Sequence, residues 1–254
     1  SAEFFATQVK AVNADNLPLN GQSVDELIAE LTPVIFDPTI IAKRVNQAEG
    51  EDLILTSANN LYDGVTQAEV EAYFASLKNP ADSTPISYGL NSRKVKKDGK
   101  VSEEIYKVGG LYSDAISRIV SLLEKAANYA ENEAQLNTIN KLVEYYKTGD
   151  LRQFDEYSIL WLQDTASQVD FINGFIESYG DPLGMTGAWE SIVNFKNQAA
   201  SQRTEIISAN AQWFEDHSPI DSRFKKEEVK GVSAKVITAA ILSGDAYPAT
   251  PIGI

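Results

Sequence analysis

The stretch "GFIESYGDPLG", Gly174 to Gly184, decides how this chain is read. Apolar residues run up to Glu177 and Tyr179, set two apart, and a Gly-Asp-Pro turn then cuts the segment off. Side chains two apart on a strand share a face. A strand here would therefore aim a carboxylate and a phenol in one direction, just before a rigid turn. It would also place a small sheet within a chain whose remaining punctuation is mostly helical.

Working outward, Ser23 with Glu26 spells a capping box ahead of Leu27, Ile28 and Leu31, and Thr66 with Glu69 repeats it ahead of Val70, Phe74 and Leu77. Ile116, Ile119, Val120 and Leu123 recur at helical spacing. A second helix with Leu136, Ile139, Val143 and Tyr146 follows, ended by Gly149 as a left-handed cap. The two form a helical hairpin in this reading. Before them, Asp98-Gly99 between strand-like runs signals a type I′ hairpin, with the lysines around the turn as a solvated tip. After Asp150 comes a helix with Leu151, Phe154 and Trp161. "WESIVNFKNQAASQRTEIISANAQWFEDH" reads as one long helix, from Ser191 to about Asp216. "KVITAAILSGD" reads as a buried strand, and "YPATPIGI" as extended chain. The expected fold class is α+β, mainly helical with a small mixed or antiparallel β core, and residues 1–254 form one compact unit or lobe. The chain stops at Ile254 straight after that strand, so it reads as a piece of something longer.

The totals exclude several functions. Across 254 residues, 36 Asp and Glu face 22 Lys and Arg, a net charge of −14. Such a surface repels a phosphate backbone, so no nucleic-acid partner is expected. No apolar run approaches the ~18 residues that a membrane helix needs, so no membrane partner is expected either. Without cysteine there is no disulfide and no thiolate metal site. The first residues, "SAEFFATQVKAV", show no basic start or cleavage pattern, and Phe4, Phe5 and Val9 are spaced to pack against something.

Catalytic sets are incomplete. The one histidine, His217, sits at a helix end and reads as a cap rather than a metal ligand. It is also the only partner available to a nucleophilic serine, and no Gly-x-Ser-x-Gly presents one. Neither a P-loop nor a dinucleotide glycine pattern occurs. Glu177 and Tyr179 carry two readings. One is a half-exposed edge strand with Glu177 in water. The other is a carboxylate that binds a substrate ammonium beside a phenol that donates to an oxyanion. Glu190 joins Glu177 across the turn, and paired carboxylates also admit glycoside hydrolysis. Trp161, with Gln163 and Asp164 in "ILWLQD", is aromatic and polar at a helix end, and reads first as a core tryptophan with a polar cap.

In order, "LEKAANYAEN", "WLQD", "VDFINGFIESYGDPLG", "WESIV" and "SGDAYPATPIGI" resemble the dipeptidyl peptidase III family of zinc exopeptidases. The resemblance is broad from Leu111 to Ile254 and thinner from Leu17 to Gly110, where "PVIFDPT" and "ISYGLNS" look like the bacterial branch. It implies a two-lobed enzyme that releases dipeptides from the N-terminus of short peptides. In that family a His-Glu-x-x-Gly-His helix and a later glutamate hold the zinc. The resemblance makes Glu177 the anchor of the free ammonium and Glu190 a second acid of that subsite. Tyr179 becomes the stabiliser of the tetrahedral intermediate and Trp161 a cleft residue. Ile252, Gly253 and Ile254 match the start of a strand that pairs with the peptide. The zinc motif does not occur in this sequence, and Gly180 stands where some relatives have a basic residue. The expectation is thus a peptide-binding portion of the enzyme, inactive alone, that binds no zinc itself and partners a zinc-binding lobe of the same protein. Its long helix would reach toward that lobe. The family is mostly cytosolic, so a cytoplasmic setting is expected, with export implied if a signal precedes Ser1. A non-catalytic peptide-binding or scaffold protein is the alternative.

Overall fold

The computed structural model describes residues 1–230 and 236–248. The chain divides into two compact units. The first comprises Ser1–Pro85, Ser92–Glu104 and Tyr179–Thr186, and the second Ile86–Asn91, Ile105–Ser178 and Gly187–Ile254. The α+β class expected from the sequence holds, with helices and two three-stranded sheets. Among the described residues no helix is long and apolar enough to cross a membrane.

The first unit opens with α1 (Ala2–Ala11) and α2 (Val24–Phe36). Ser23 Oγ accepts from the Glu26 amide at 3.2 Å, and Glu26 Oε2 accepts from the Ser23 amide at 2.7 Å, so the capping box forms as spaced. Phe5 meets Phe36 with ring centroids 5.8 Å apart, while Phe4 is exposed. A second capping box starts α3 (Gln67–Leu77), which buries Val70 and Phe74. Leu77, expected in the same stripe, is exposed because it is the last residue of the helix.

The hairpin of β2 (Ser92–Lys97) and β3 (Lys100–Ile105) turns on Asp98 and Gly99, whose φ values of 51° and 74° meet the type I′ requirement. The short β1 (Tyr62–Asp63) pairs in parallel with β2, Tyr62 opposite Lys94. Lys96, Lys97 and Lys100 are solvated as expected, but Lys94 is fully buried. β2 is the central strand, between β1 and β3, and the Lys94 ammonium stands 5.7 Å from the centroids of the Tyr62 and Phe74 rings.

In the second unit α4 (Ser113–Ala127), α5 (Glu133–Thr148) and α6 (Leu151–Gln163) pack in succession. Ile116 and Val120 of α4 bury against Leu142, Tyr145 and Tyr146 of α5. Gly149 (φ 72°) ends α5, and Asp150 caps α6 by accepting from the Arg152 amide at 2.9 Å. The sheet runs β4 (Val169–Glu177), β5 (Ala188–Lys196), β6 (Ile237–Gly244), antiparallel throughout. Glu131, between α4 and α5, starts β4 by accepting from the amides of Gln168 at 2.8 Å and Val169 at 2.7 Å. On the helix-facing side, the Trp189 indole donates to Tyr146 Oη at 3.0 Å, and Tyr146 Oη–H donates to Asn173 Oδ1.

Two expectations are corrected here. Residues 191–216 are not one helix: β5 occupies the first part, and only α7 (Gln198–Ala209) and α8 (Ala211–His217) are helical. Apolar residues lie on both sides of "WESIVNFK", which hides a period of two, and β-branched Ile192 and Val193 suit the centre of a sheet. The strand at 237–244 forms, but residues 237–241 are exposed rather than buried, because β6 is the edge of its sheet.

Candidate functional site

β4 pairs one-for-one with β5 from Val169 opposite Phe195 to Phe175 opposite Trp189. The register then slips, and Glu177 stands opposite Ala188. Ile176 is the extra residue of a β-bulge. Plain alternation would turn Glu177 to the face of Phe171 and Phe175, toward the aromatic core. The bulge instead brings it to the face that carries Ala188 and Glu190.

Glu190 lies on the central strand, opposite Gly174 on one side and Gly244 on the other. It is 1% exposed, and neither of its carboxylate oxygens has a hydrogen-bond partner. Burial, and then the nearby charges of Glu177 and Asp245, raise its carboxyl above the usual range. Asp245 reaches this place through the end of β6: its amide donates to the Trp189 carbonyl at 3.0 Å. Gly244 has φ 64°, and a Cβ on it would sit 2.2 Å from the Trp189 carbonyl oxygen, so this turn needs glycine. Glu177 and Glu190, named from the sequence, are thus brought together. Asp245 was not, because no local pattern shows that β6 returns beside β5.

Tyr179 is placed differently. β4 stops at Glu177, and Tyr179 lies in the following turn, within the first unit and 63% exposed. One strand carrying both side chains, as a period of two suggested, does not form. The Arg44 guanidinium covers the adjacent Gly180, with Nη2 2.7 Å from where a Cβ would stand. A basic group therefore lies at Gly180, the residue after Tyr179, though it comes from a distant part of the sequence. Trp161 is half-buried, donates from its indole to Asp170 at 2.8 Å, and helps line an apolar groove of ≈ 280 Å³ with Phe154, Ile172 and Ile176. Ile252, Gly253 and Ile254 lie outside the described residues.

His217 ends α8, with Nδ1–H donating to the Trp213 carbonyl at 2.8 Å and its ring stacked on the Trp213 indole at 4.3 Å. Among the described residues no group of three or more His, Cys, Asp or Glu is placed to hold a metal ion. This donor set does not fit a zinc ion.

Comparisons with known proteins point the same way as the order of segments. The sequence profile described as peptidase family M49 matches residues 42–241, which takes in Trp161, Glu177, Tyr179 and Glu190. The chain is similar to dipeptidyl peptidase 3 of Mus musculus, 27% identical over 189 residues, covering 74% of this chain and 26% of that protein. It is 32% identical over 131 residues to dipeptidyl peptidase 3 of Dictyostelium discoideum, covering 52% of this chain and 18% of that protein. Among solved structures it is similar to dipeptidyl peptidase III from Caldithrix abyssi (TM-score 0.61, 17% identity), over 96% of this chain and 44% of that one. The enzyme from Corallococcus sp. strain EGB gives a TM-score of 0.55 at 20% identity, over 96% of this chain and 43% of that one. These structural likenesses show the fold, and the chain spans less than half the length of each of these relatives. The chain belongs to peptidase family M49, the dipeptidyl peptidase III family.

Proposed function

We propose that this chain is part of a metallo-exopeptidase that releases dipeptides from the N-terminus of short peptides, with Glu177 and Glu190 holding the substrate's free ammonium. One observation supports the reading above the rest: the buried Glu190 carboxylate has no hydrogen-bond partner and faces two further carboxylates. An isolated buried carboxylate is costly, and like charges nearby add to that cost. A primary ammonium, with three donors and a positive charge, relieves both terms at once. A peptide whose amine is blocked offers neither, which accounts for counting from the N-terminus.

Tyr179 is proposed as the phenol that donates to the developing oxyanion, and Trp161 as an aromatic wall for the peptide. Zinc, where the reaction uses it, is held by another part of a longer protein. This chain alone is inactive in this reading.

The test compares a dipeptidyl arylamide with its N-acetylated form, using the full product of the reading frame. The free amine should be cleaved with kcat/KM higher by about 100-fold or more, and Glu190→Gln should erase most of that preference. Equal cleavage of both forms sinks the ammonium reading. Peptide binding without cleavage of either form, in a protein that carries a zinc site, points to the non-catalytic peptide-binding alternative.

A further inference from the structure

Tyr179 is exposed and lies in a turn, yet the segment that carries it, Tyr179–Thr186, is tied down inside the first unit. Asp181 is its hub and is 2% exposed. Its carboxylate accepts from the amides of Leu183 at 2.9 Å, Met185 at 3.1 Å and Thr186 at 2.6 Å, and its carbonyl accepts from Gly184 at 2.9 Å. The Tyr62 hydroxyl donates to the same carboxylate, at 2.7 Å from Oδ1. The segment therefore wraps around its own aspartate, and β1 holds that aspartate from outside.

Lys94 closes the other end. Its ammonium donates to Thr186 Oγ1 and, at 3.0 Å, to the Ser92 carbonyl. It also stands 5.7 Å from the centroids of both the Tyr62 and Phe74 rings. The Thr186 hydroxyl donates in turn to the Ser92 carbonyl at 3.3 Å. A fully buried lysine at this position is expensive in itself: burial pulls its ammonium down to about 8, and Asp181 and Glu103 act against that shift. A hydrophobic side chain would fill a strand interior more cheaply. What Lys94 provides instead is a donor that reaches from the rigid β2 strand to the return of the Tyr179 segment.

We propose that Lys94 and Asp181 are positioning residues for Tyr179: together they clamp the Tyr179–Thr186 segment to β1 and β2, so that a phenol in an exposed turn is presented from a fixed backbone. The proposal rests on the reading of Tyr179 as an oxyanion donor. Its test does not use turnover, so the two fail separately. If Tyr179→Phe left turnover intact, the role of Tyr179 would fall and the clamp would stand.

Amide hydrogen exchange and ¹⁹F NMR of the 3-fluorotyrosine-labelled 254-residue chain make the test, with the position-179 resonance assigned by its loss in Tyr179→Phe. In Lys94→Met and in Thr186→Val, the amides of Leu183, Met185 and Thr186 should exchange about tenfold faster or more. The position-179 resonance should move toward its denatured value. Thr186→Ser, which keeps the hydroxyl, should behave as the parent. If Lys94→Met does not fold, Thr186→Val decides. Unchanged exchange and an unchanged resonance in the folded variants, even with lower stability, would make Lys94 a core residue only and overturn the proposal.

Discussion

Glu190 is where a single side chain conflicts with its surroundings. A carboxylate with 1% exposure and no hydrogen-bond partner destabilises the folded chain whenever it is ionised. Its carboxyl is raised above the ordinary 4.5 by burial first, then by Glu177 and Asp245. Between 4.5 and that raised value the folded state holds a proton that the unfolded chain has released. Stability should therefore fall as pH rises across this window. Glu190→Gln should raise stability at neutral pH by about 1–2 kcal/mol and remove that part of the pH dependence, measured by urea unfolding at several pH values. A loss of stability would mean that the carboxylate is compensated in the folded chain. Such a gain would fit the proposed role of Glu190, in which a substrate ammonium supplies the partner that the fold does not.

At the scale of elements, the acidic face depends on two backbone devices. The bulge at Ile176 re-aims Glu177, and the turn at Gly244 lets Asp245 fold back along the Trp189 carbonyl. Gly244→Ala would force a Cβ to 2.2 Å from that carbonyl oxygen at φ 64°. It should lower stability by about 1–3 kcal/mol, read as a lower urea midpoint with an unchanged m-value. A midpoint within error of the parent would show that the β6 turn is not built as described. Neither device has a reliable local signature. A bulge is a mismatch between two strands, so it has no meaning until both are paired. By contrast the capping boxes at Ser23–Glu26 and Thr66–Glu69 and the Asp98-Gly99 turn depend on contacts within three residues, and all form as spaced.

For the whole molecule, the chain spans 26% of the mouse relative's length and 44% of the Caldithrix abyssi structure, so any activity is a property to be tested on the longer product. That product should release dipeptides from an arylamide in a chelator-sensitive way, and the 254-residue chain should not. In the longer product Tyr179→Phe should lower kcat by about 10²–10³, as for loss of one oxyanion donor. Turnover by the short chain, or an unaffected Tyr179→Phe, would count against the assignment of roles. What the sequence determined by itself was whatever local chemistry sets: helix starts, the type I′ turn, the absence of a histidine and cysteine set for a metal, and a family resemblance carried by the order of short segments. The tertiary structure decided the rest, because it depends on which strands become neighbours. The segment read as helix from Ser191 became the central strand β5 once β4 and β6 flanked it, and Glu190 was buried with it. Lys94 left the solvated tip for the interior because β1 and α3 cover its half of the hairpin. Glu177 and Tyr179, two residues apart, fell into different units because the strand between them ends at Glu177, and sequence spacing carries no information past the end of an element.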